Sequence, residues 1–343
     1  MRGRNGDEGM GIWMTRLAPV VAAVAALFGG AAAAAPATPF AGVACQTPPP
    51  AFCTEKGCPP DLMAAPGNAV DPKTGRRFFL DFPCGLKRGD KVIFILSLHG
   101  ATSAGAWQRN YFRAAALKDK YRLVIASPTA GNAQRIWSAA DDAHLQNVAD
   151  MVIGELGARN IKAFWLAGHS QGGLTANRVI CNDYFKGRVD GLLSLSGGRI
   201  GRAAPAPALF DGRPPPTGAG GSNETPACDF NYIFETGDRE MVALPEVSPW
   251  AEKYGCGPRV RQREVKDTKP GFITGERKTP PNPAYGLDAR PGVAQVMVYP
   301  KCNGGKLVAD VVRLEKGHTE GLEPAITETL IQMIAAAPSG KLR

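Results

Sequence analysis

Gly168-His169-Ser170-Gln171-Gly172 sets a serine between two glycines, each two residues away. A serine hydroxyl is a weak nucleophile until a neighbouring base takes its proton. The G-x-S-x-G spacing suits a sharp turn from a strand into a helix, which lifts the hydroxyl above a sheet. Small flanking residues permit that turn, and the helix N-terminus beyond it favours developing negative charge. The chemistry expected of Ser170 is therefore acyl transfer.

The base must be one of four histidines: His99, His144, His169 and His318. His169 adjoins the serine, and adjacent side chains point apart. His99 ends an apolar run, where a role in the oxyanion loop fits. His144 falls in a helical pattern and reads as a solvated or capping residue. His318, in Lys316-Gly317-His318-Thr319, follows a strand pattern and is the histidine after the serine in the chain. The order serine, acid, histidine is one of the known orders of such a triad. For the acid, Asp238 closes the strand-like Asn231-Tyr232-Ile233-Phe234-Glu235-Thr236-Gly237 and is the residue expected to orient His318. Asp211, Asp229 and Asp288 also lie between serine and histidine. Two N–H donors should receive the oxyanion. One is Gln171, directly after the nucleophile, and the other is Ala101 in the loop after Leu98-His99-Gly100.

These residues need a scaffold that delivers them to one edge. Lys91 to Leu98, Tyr121 to Ala126, Lys162 to Ala167 and Gly191 to Leu195 are unbroken apolar runs ending at small or polar residues. Runs without alternation point to strands buried on both faces of a parallel sheet. Between them, Leu145, Val148, Ala149, Val152 and Leu156 share a helical face behind Asp141-Asp142, and Gly172 to Tyr184 is a second helical stretch. Phe230 to Thr236, Val293 to Tyr299 and Leu307 to Leu314 read as later strands, and Glu320 to Ala335 as a closing helix. The expected class is α/β, a mostly parallel central sheet with helices on both faces. In that class, ligands sit beyond the carboxyl ends of the strands.

The chain has 343 residues, a formal charge of +9, 44% apolar and 21% charged residues. That balance excludes a disordered chain, a collagen and a coiled coil. The 41 glycines and 29 prolines argue against a helical bundle. Arg16, the apolar run Leu17 to Phe28 and the alanine tract ending at Ala35-Pro36 match a cleaved export leader, with Met14 as an alternative start. The apolar stretch is short for a membrane span. Eight cysteines, an even number, fit disulfides in an exported chain. Cys53 and Cys58 are too far apart for a metal knuckle, and no metal site is expected. The expected organisation is a leader over 1–35, a disulfide-stapled extension over 36–75 and a catalytic domain over 76–338. Residues 200–226, rich in Pro and Gly, read as a long loop.

Leu98-His99-Gly100, Pro128, Trp137 with Asp141-Asp142, and the serine turn with its double glycine Gly172-Gly173 together resemble one family. It is the secreted poly(3-hydroxybutyrate) depolymerase and feruloyl-esterase branch of the α/β-hydrolases. Gly237-Asp238, Trp250, Gly255-Cys256, Cys302 and Gly317-His318 match the same layout, over roughly residues 75–335. The branch is also similar to hydrolases of poly(aspartate) and of oxidised polyvinyl alcohol. The resemblance implies an α/β-hydrolase fold, a Ser170–Asp238–His318 triad, no cofactor, and substrate-side roles for His99, Trp137 and Trp250. The implied partner is a small or polymeric ester outside the cytoplasm, with neither nucleic acid nor membrane insertion. His169 and Gln171 stand where many depolymerases have other residues. A Cys256–Cys302 disulfide is expected to brace the base loop.

Two other readings share the sequence: the same machinery acting on an amide or a β-diketone, and a catalytically silent binding module. There is no P-loop, no HExxH and no dinucleotide glycine fingerprint. Six Lys or Arg lie between Glu252 and Lys269, with Arg259, Arg261 and Arg263 alternating. They read first as a solvated surface; the alternative places them on the active-site side, where they would steer an anionic polymer.

Overall fold

A computed structural model of the chain describes residues 40–46, 68–197, 225–240, 244, 247–272 and 290–342. These residues belong to one unit, Ala37–Arg343. The order runs β1 (Asn68–Val70), β2 (Arg77–Asp81), β3 (Val92–Leu98), α1 (Gly105–Tyr111), α2 (Lys118–Tyr121), β4 (Leu123–Pro128) and α3 (Asp142–Leu156). It continues with β5 (Ile161–His169), α4 (Gln171–Val179), β6 (Gly191–Leu195), β7 (Asn231–Gly237) and α5 (Pro249–Lys253). The chain closes with β8 (Val260–Arg261), β9 (Val265–Lys266), β10 (Val293–Tyr299), β11 (Val308–Arg313) and α6 (Pro324–Ala336).

The strands form one mixed sheet in the order β1-β2-β4-β3-β5-β6-β7-β11-β10-β8, with β9 also on β10. From β4 to β11 the neighbours are parallel, and the flanking strands are antiparallel. Successive side chains of a strand point to opposite faces, and here both faces are covered. Phe94, Leu96 and Leu98 of β3 join Phe164 and Leu166 of β5 on the face under α3, α4 and α5. Ile93, Ile95, Ala163 and Trp165 lie on the other face, under α1 and α6. Two covers explain why these strands read as continuous apolar runs rather than alternating ones.

Three disulfides lie among the described residues: Cys45–Cys84, Cys181–Cys228 and Cys256–Cys302. The last is the expected staple, joining the end of α5 to the end of β10. Such a bridge typically contributes about 2–4 kcal/mol. Cys53 and Cys58, the leader and the 200–224 stretch fall outside the described residues. His144, expected on the surface, is buried instead. Its Nδ1 lies 2.8 Å from Asp71, so it ties α3 to the turn between β1 and β2.

Candidate active site

β5 ends at His169, and α4 begins at Gln171, so Ser170 is the single residue between strand and helix. Ser170 has φ 51° and ψ −119°, a left-handed conformation that costs a non-glycine residue energy. The turn is locked by the Ser170 N–H donating to the Leu195 carbonyl of β6 at 3.0 Å. Its tightness leaves no room for side chains at the flanks. A Cβ on Gly168 would lie 2.3 Å from the Gly172 carbonyl carbon, and one on Gly172 would lie 2.4 Å from the Leu98 carbonyl oxygen. The two glycines are therefore steric requirements of the turn.

His318 arrives from the loop after β11. His318 Nε2 is 2.8 Å from Ser170 Oγ, and its Nδ1 is 2.9 and 3.1 Å from the two carboxylate oxygens of Glu240. A carboxylate accepts, so Nδ1 carries the proton and donates to Glu240. Nε2 then offers its lone pair to the serine hydroxyl, the tautomer that general-base catalysis needs. His318 and Glu240 are nearly buried, with side chains 5% and 7% exposed.

The carboxylate that meets His318 is thus that of Glu240 and not of Asp238. Beyond β7 the chain stays paired with the base loop: the N–H of Asp238 donates to the Arg313 carbonyl, and that of Arg239 to the Lys316 carbonyl. This pairing leaves the side chains of Asp238 and Arg239 exposed, and Glu240 is the residue that reaches His318. The competitor Asp229 sits ahead of β7, at the far end of the sheet, while Asp211 and Asp288 lie outside the described residues. The acid of a serine–acid–histidine order is Asp or Glu, so residue type admits Glu240, but nothing in the sequence singles it out.

The three expected substrate contacts are also corrected. His99, Trp137 and Trp250 are fully buried and so cannot touch a substrate here. Trp250 packs against Phe230 and Tyr232, with ring centroids 4.6 and 5.1 Å away, in the core beneath α5. His99 and Trp137 instead build the wall behind the serine. The Ala130 N–H donates to His99 Nε2 at 3.0 Å, so His99 Nδ1 is the protonated nitrogen and donates to the Gly100 carbonyl at 2.6 Å. Burial pushes the His99 pKa down to about 4, which keeps the ring neutral. Trp137 Nε1–H donates to the His99 carbonyl at 2.8 Å. The Trp137 backbone is gripped by the Gln171 amide: its N–H donates to Oε1 at 3.0 Å, and its carbonyl accepts from Nε2 at 3.2 Å.

This chain of contacts runs from the first residue of α4 to the loop that holds Ala101. As the first residue of a helix, Gln171 has a backbone N–H without an intrahelical acceptor. The loop after β3 passes directly beside the serine, since a Cβ on Gly100 would lie 3.2 Å from Ser170 Cβ.

A buried ion network lies under the base loop. Arg313, at the end of β11, is fully buried and bonds Glu235 of β7 at 2.6 Å and Glu323 at 3.3 Å. It also donates to the carbonyls of Glu320 and Gly321, at 2.7 and 3.2 Å, just beyond His318. Lys316 reaches Glu320 at 3.1 Å and Glu323 at 2.9 Å. Sequence reading did not single out this network, because its members scan as isolated charges until the strands align.

The basic stretch runs along the outermost strands of the sheet. β8 pairs Val260 with Val298 and Arg261 with Met297, which face Ala309 and Asp310 on β11. Asp310 lies three residues before Arg313, so Arg261 sits about 10 Å back from the catalytic edge. Arg259, Arg261 and Arg263 are exposed at the lateral edge of the sheet, where β8 is separated from β5 by β6, β7, β11 and β10, about 24 Å at the usual strand spacing, and Arg261 pairs with Glu264. Any steering of an anionic polymer by these groups acts from the sheet's edge and not from beside Ser170. Among the described residues there is no cluster of metal-ligating side chains, and no helix is long and apolar enough to cross a membrane.

No protein-family model matches the sequence, and no curated protein does. Solved structures are similar in fold. An acetyl xylan esterase from Aspergillus awamori has 12% identity and a TM-score of 0.47, over 78% of this chain and 96% of that one. The propionate-bound esterase Est2 from Thermogutta terrifontis has 15% identity and a TM-score of 0.38, over 54% and 76%. Est1E from Butyrivibrio proteoclasticus has 14% identity and a TM-score of 0.35, over 55% and 84%. Likeness this remote carries no argument about substrate. The parallel sheet covered on both faces, with a nucleophile elbow between β5 and α4, is the α/β-hydrolase fold.

Proposed function

We propose that the chain is an exported serine esterase that works through an acyl-enzyme. The observation that carries this reading is the hydrogen-bonded line Ser170–His318–Glu240 at a strained elbow. Ser170 Oγ attacks the ester carbonyl carbon while His318 Nε2 takes the hydroxyl proton. The negative charge on the carbonyl oxygen is received by the N–H groups of Gln171 and Ala101. Collapse breaks the carbon–oxygen bond to the alcohol, which leaves with the proton from His318. Water, deprotonated by His318, then attacks the acyl-enzyme and frees Ser170. Glu240 holds the ring and stabilises the imidazolium formed in each half. These steps call on no cofactor or metal.

The substrate class we favour is a hydroxyalkanoate-type polymer or oligomer, or an aryl ester, on the strength of the motif resemblance. Export is supported by the leader pattern and by disulfide pairing, which persists in oxidising compartments. The test is labelling by a fluorophosphonate probe and turnover of a panel: short-chain aryl esters, feruloyl esters, hydroxybutyrate oligomers and poly(aspartate). Ser170→Ala should abolish labelling and lower kcat by roughly 10^6, the scale for loss of a serine nucleophile. Labelling that survives in Ser170→Ala would end the proposal. Cleavage of poly(aspartate) with inert esters would move the reaction to amides.

The Gln171 amide gives a further prediction. Gln171→Ala keeps the backbone N–H but removes the grip on Trp137. A displacement of about 1 Å can cost up to 10²-fold, so kcat should fall by up to that factor with KM little changed. Steady-state kinetics on one short-chain ester decides this, and an unaltered kcat would show that the helix start is held without the amide.

A further inference from the structure

We infer that His169, the residue before the nucleophile, is a positioning residue that fixes the base loop to the elbow. The inference rests on the serine-hydrolase reading above. His169 Nε2 lies 2.8 Å from the backbone carbonyl of His318, across a sequence separation of 149. A carbonyl only accepts, so Nε2 must carry the hydrogen. The ring is almost wholly buried, which lowers its pKa well below the usual range, and the neighbouring His318 adds to the shift. His169 is therefore neutral, protonated at Nε2, with its Nδ1 lone pair buried and without a hydrogen-bond partner.

The ring cannot slide away from this bond. Tyr111 lies 4.2 Å from it by centroid, Trp107 4.9 Å and the His318 ring 4.8 Å. On the remaining side is Gly100, where a Cβ would lie 2.7 Å from His169 Nδ1. Glycine at 100 thus makes room for the imidazole as well as for the oxyanion loop. One rigid strand end consequently holds the nucleophile through Ser170 and the backbone of the base through His169. The Ser170–His318 distance is set within a single piece of structure, rather than across two independent loops.

Neutrality is part of the function. His318 becomes an imidazolium when it takes the serine proton. A second cation at 4.8 Å would oppose that step. A neutral donor anchors the loop without adding charge.

The test compares three substitutions in the full chain. His169→Gln keeps an amide N–H the same number of bonds from Cα as Nε2. His169→Asn places its N–H at the position of Nδ1, too short for the His318 carbonyl. His169→Phe fills the space without a donor. The expected result is a kcat about 10- to 100-fold down in the Asn and Phe variants. The Gln variant should recover to within a few-fold of wild type, and KM should stay within about two-fold in all three. If the Phe variant fails to fold, the Asn and Gln pair decides alone. Equal kcat in Asn and Gln, with turnover still lost in Ser170→Ala, removes the role of His169 and leaves the nucleophile intact. Turnover that persists in Ser170→Ala overturns both.

Discussion

Glu240→Gln should fold normally and lose about four orders of magnitude in kcat, the loss known when the acid of a serine triad becomes its amide. The amide would present an N–H to His318 Nδ1 as readily as an oxygen. A ring that accepts at Nδ1 is protonated at Nε2 and can no longer take the serine proton. Asp238→Asn, by contrast, should retain near wild-type turnover, because that side chain faces solvent while its backbone N–H alone is engaged. Purified variants assayed on one ester, with thermal unfolding measured alongside, separate the two. A collapse in Asp238→Asn with a healthy Glu240→Gln would return the acid to Asp238.

Most of the scaffold and half of the site could be read before any coordinates. β3, β5, β6, β7, β10 and β11 fall where apolar runs end in small or polar residues. Two-sided burial produced those runs in all of them but β10, which is half-buried at Val293, Gln295 and Val298. Ser170 and His318 were legible because the elbow has a local steric signature and because histidines are few. Glu240 was not, because a loop residue's direction depends on tertiary pairing. Two backbone bonds to Arg313 and Lys316 turn Asp238 outward, and no sequence window contains both partners. Trp137 and Trp250 share the lesson in reverse. A large aromatic near catalytic motifs reads as a substrate platform, yet both rings are filled in by their own strands and helices. The basic run lies far to the side because it pairs on β10 at the sheet's edge, a strand order that no local pattern reveals.

Arg313→Met should be the most destabilising single change in the base region, by about 3–5 kcal/mol. The guanidinium is fully buried, and Glu235 and Glu323 outweigh the burial that disfavours its charge. Methionine would leave Glu235 without its cation in an apolar interior and would free the carbonyls of Glu320 and Gly321. Urea unfolding gives the measurement, with a loss below about 1 kcal/mol showing that the network does not hold the fold. Replacing both charges, in Glu235→Leu with Arg313→Met, should restore part of the stability, since a buried pair exchanged for apolar groups is often neutral. Turnover should stay low in the double variant, because the two carbonyls beyond His318 remain unanchored.

The Cys181–Cys228 bond has a consequence for how this chain can diversify. It joins the segment after α4 to the approach to β7, and the Ser196 N–H holds the end of β6 to the Glu235 carbonyl. The chain on either side of residues 198–224 is thereby tied to the sheet. Closing a loop twice as long costs only about 0.6 kcal/mol more. By closure entropy alone, a change in the number of residues between those two tied positions is nearly free, while β6 and β7 keep their register. The length of chain that joins β6 to β7 can thus drift over evolutionary time at little entropic cost, while a covalent bond and a parallel pairing keep the two strands in step.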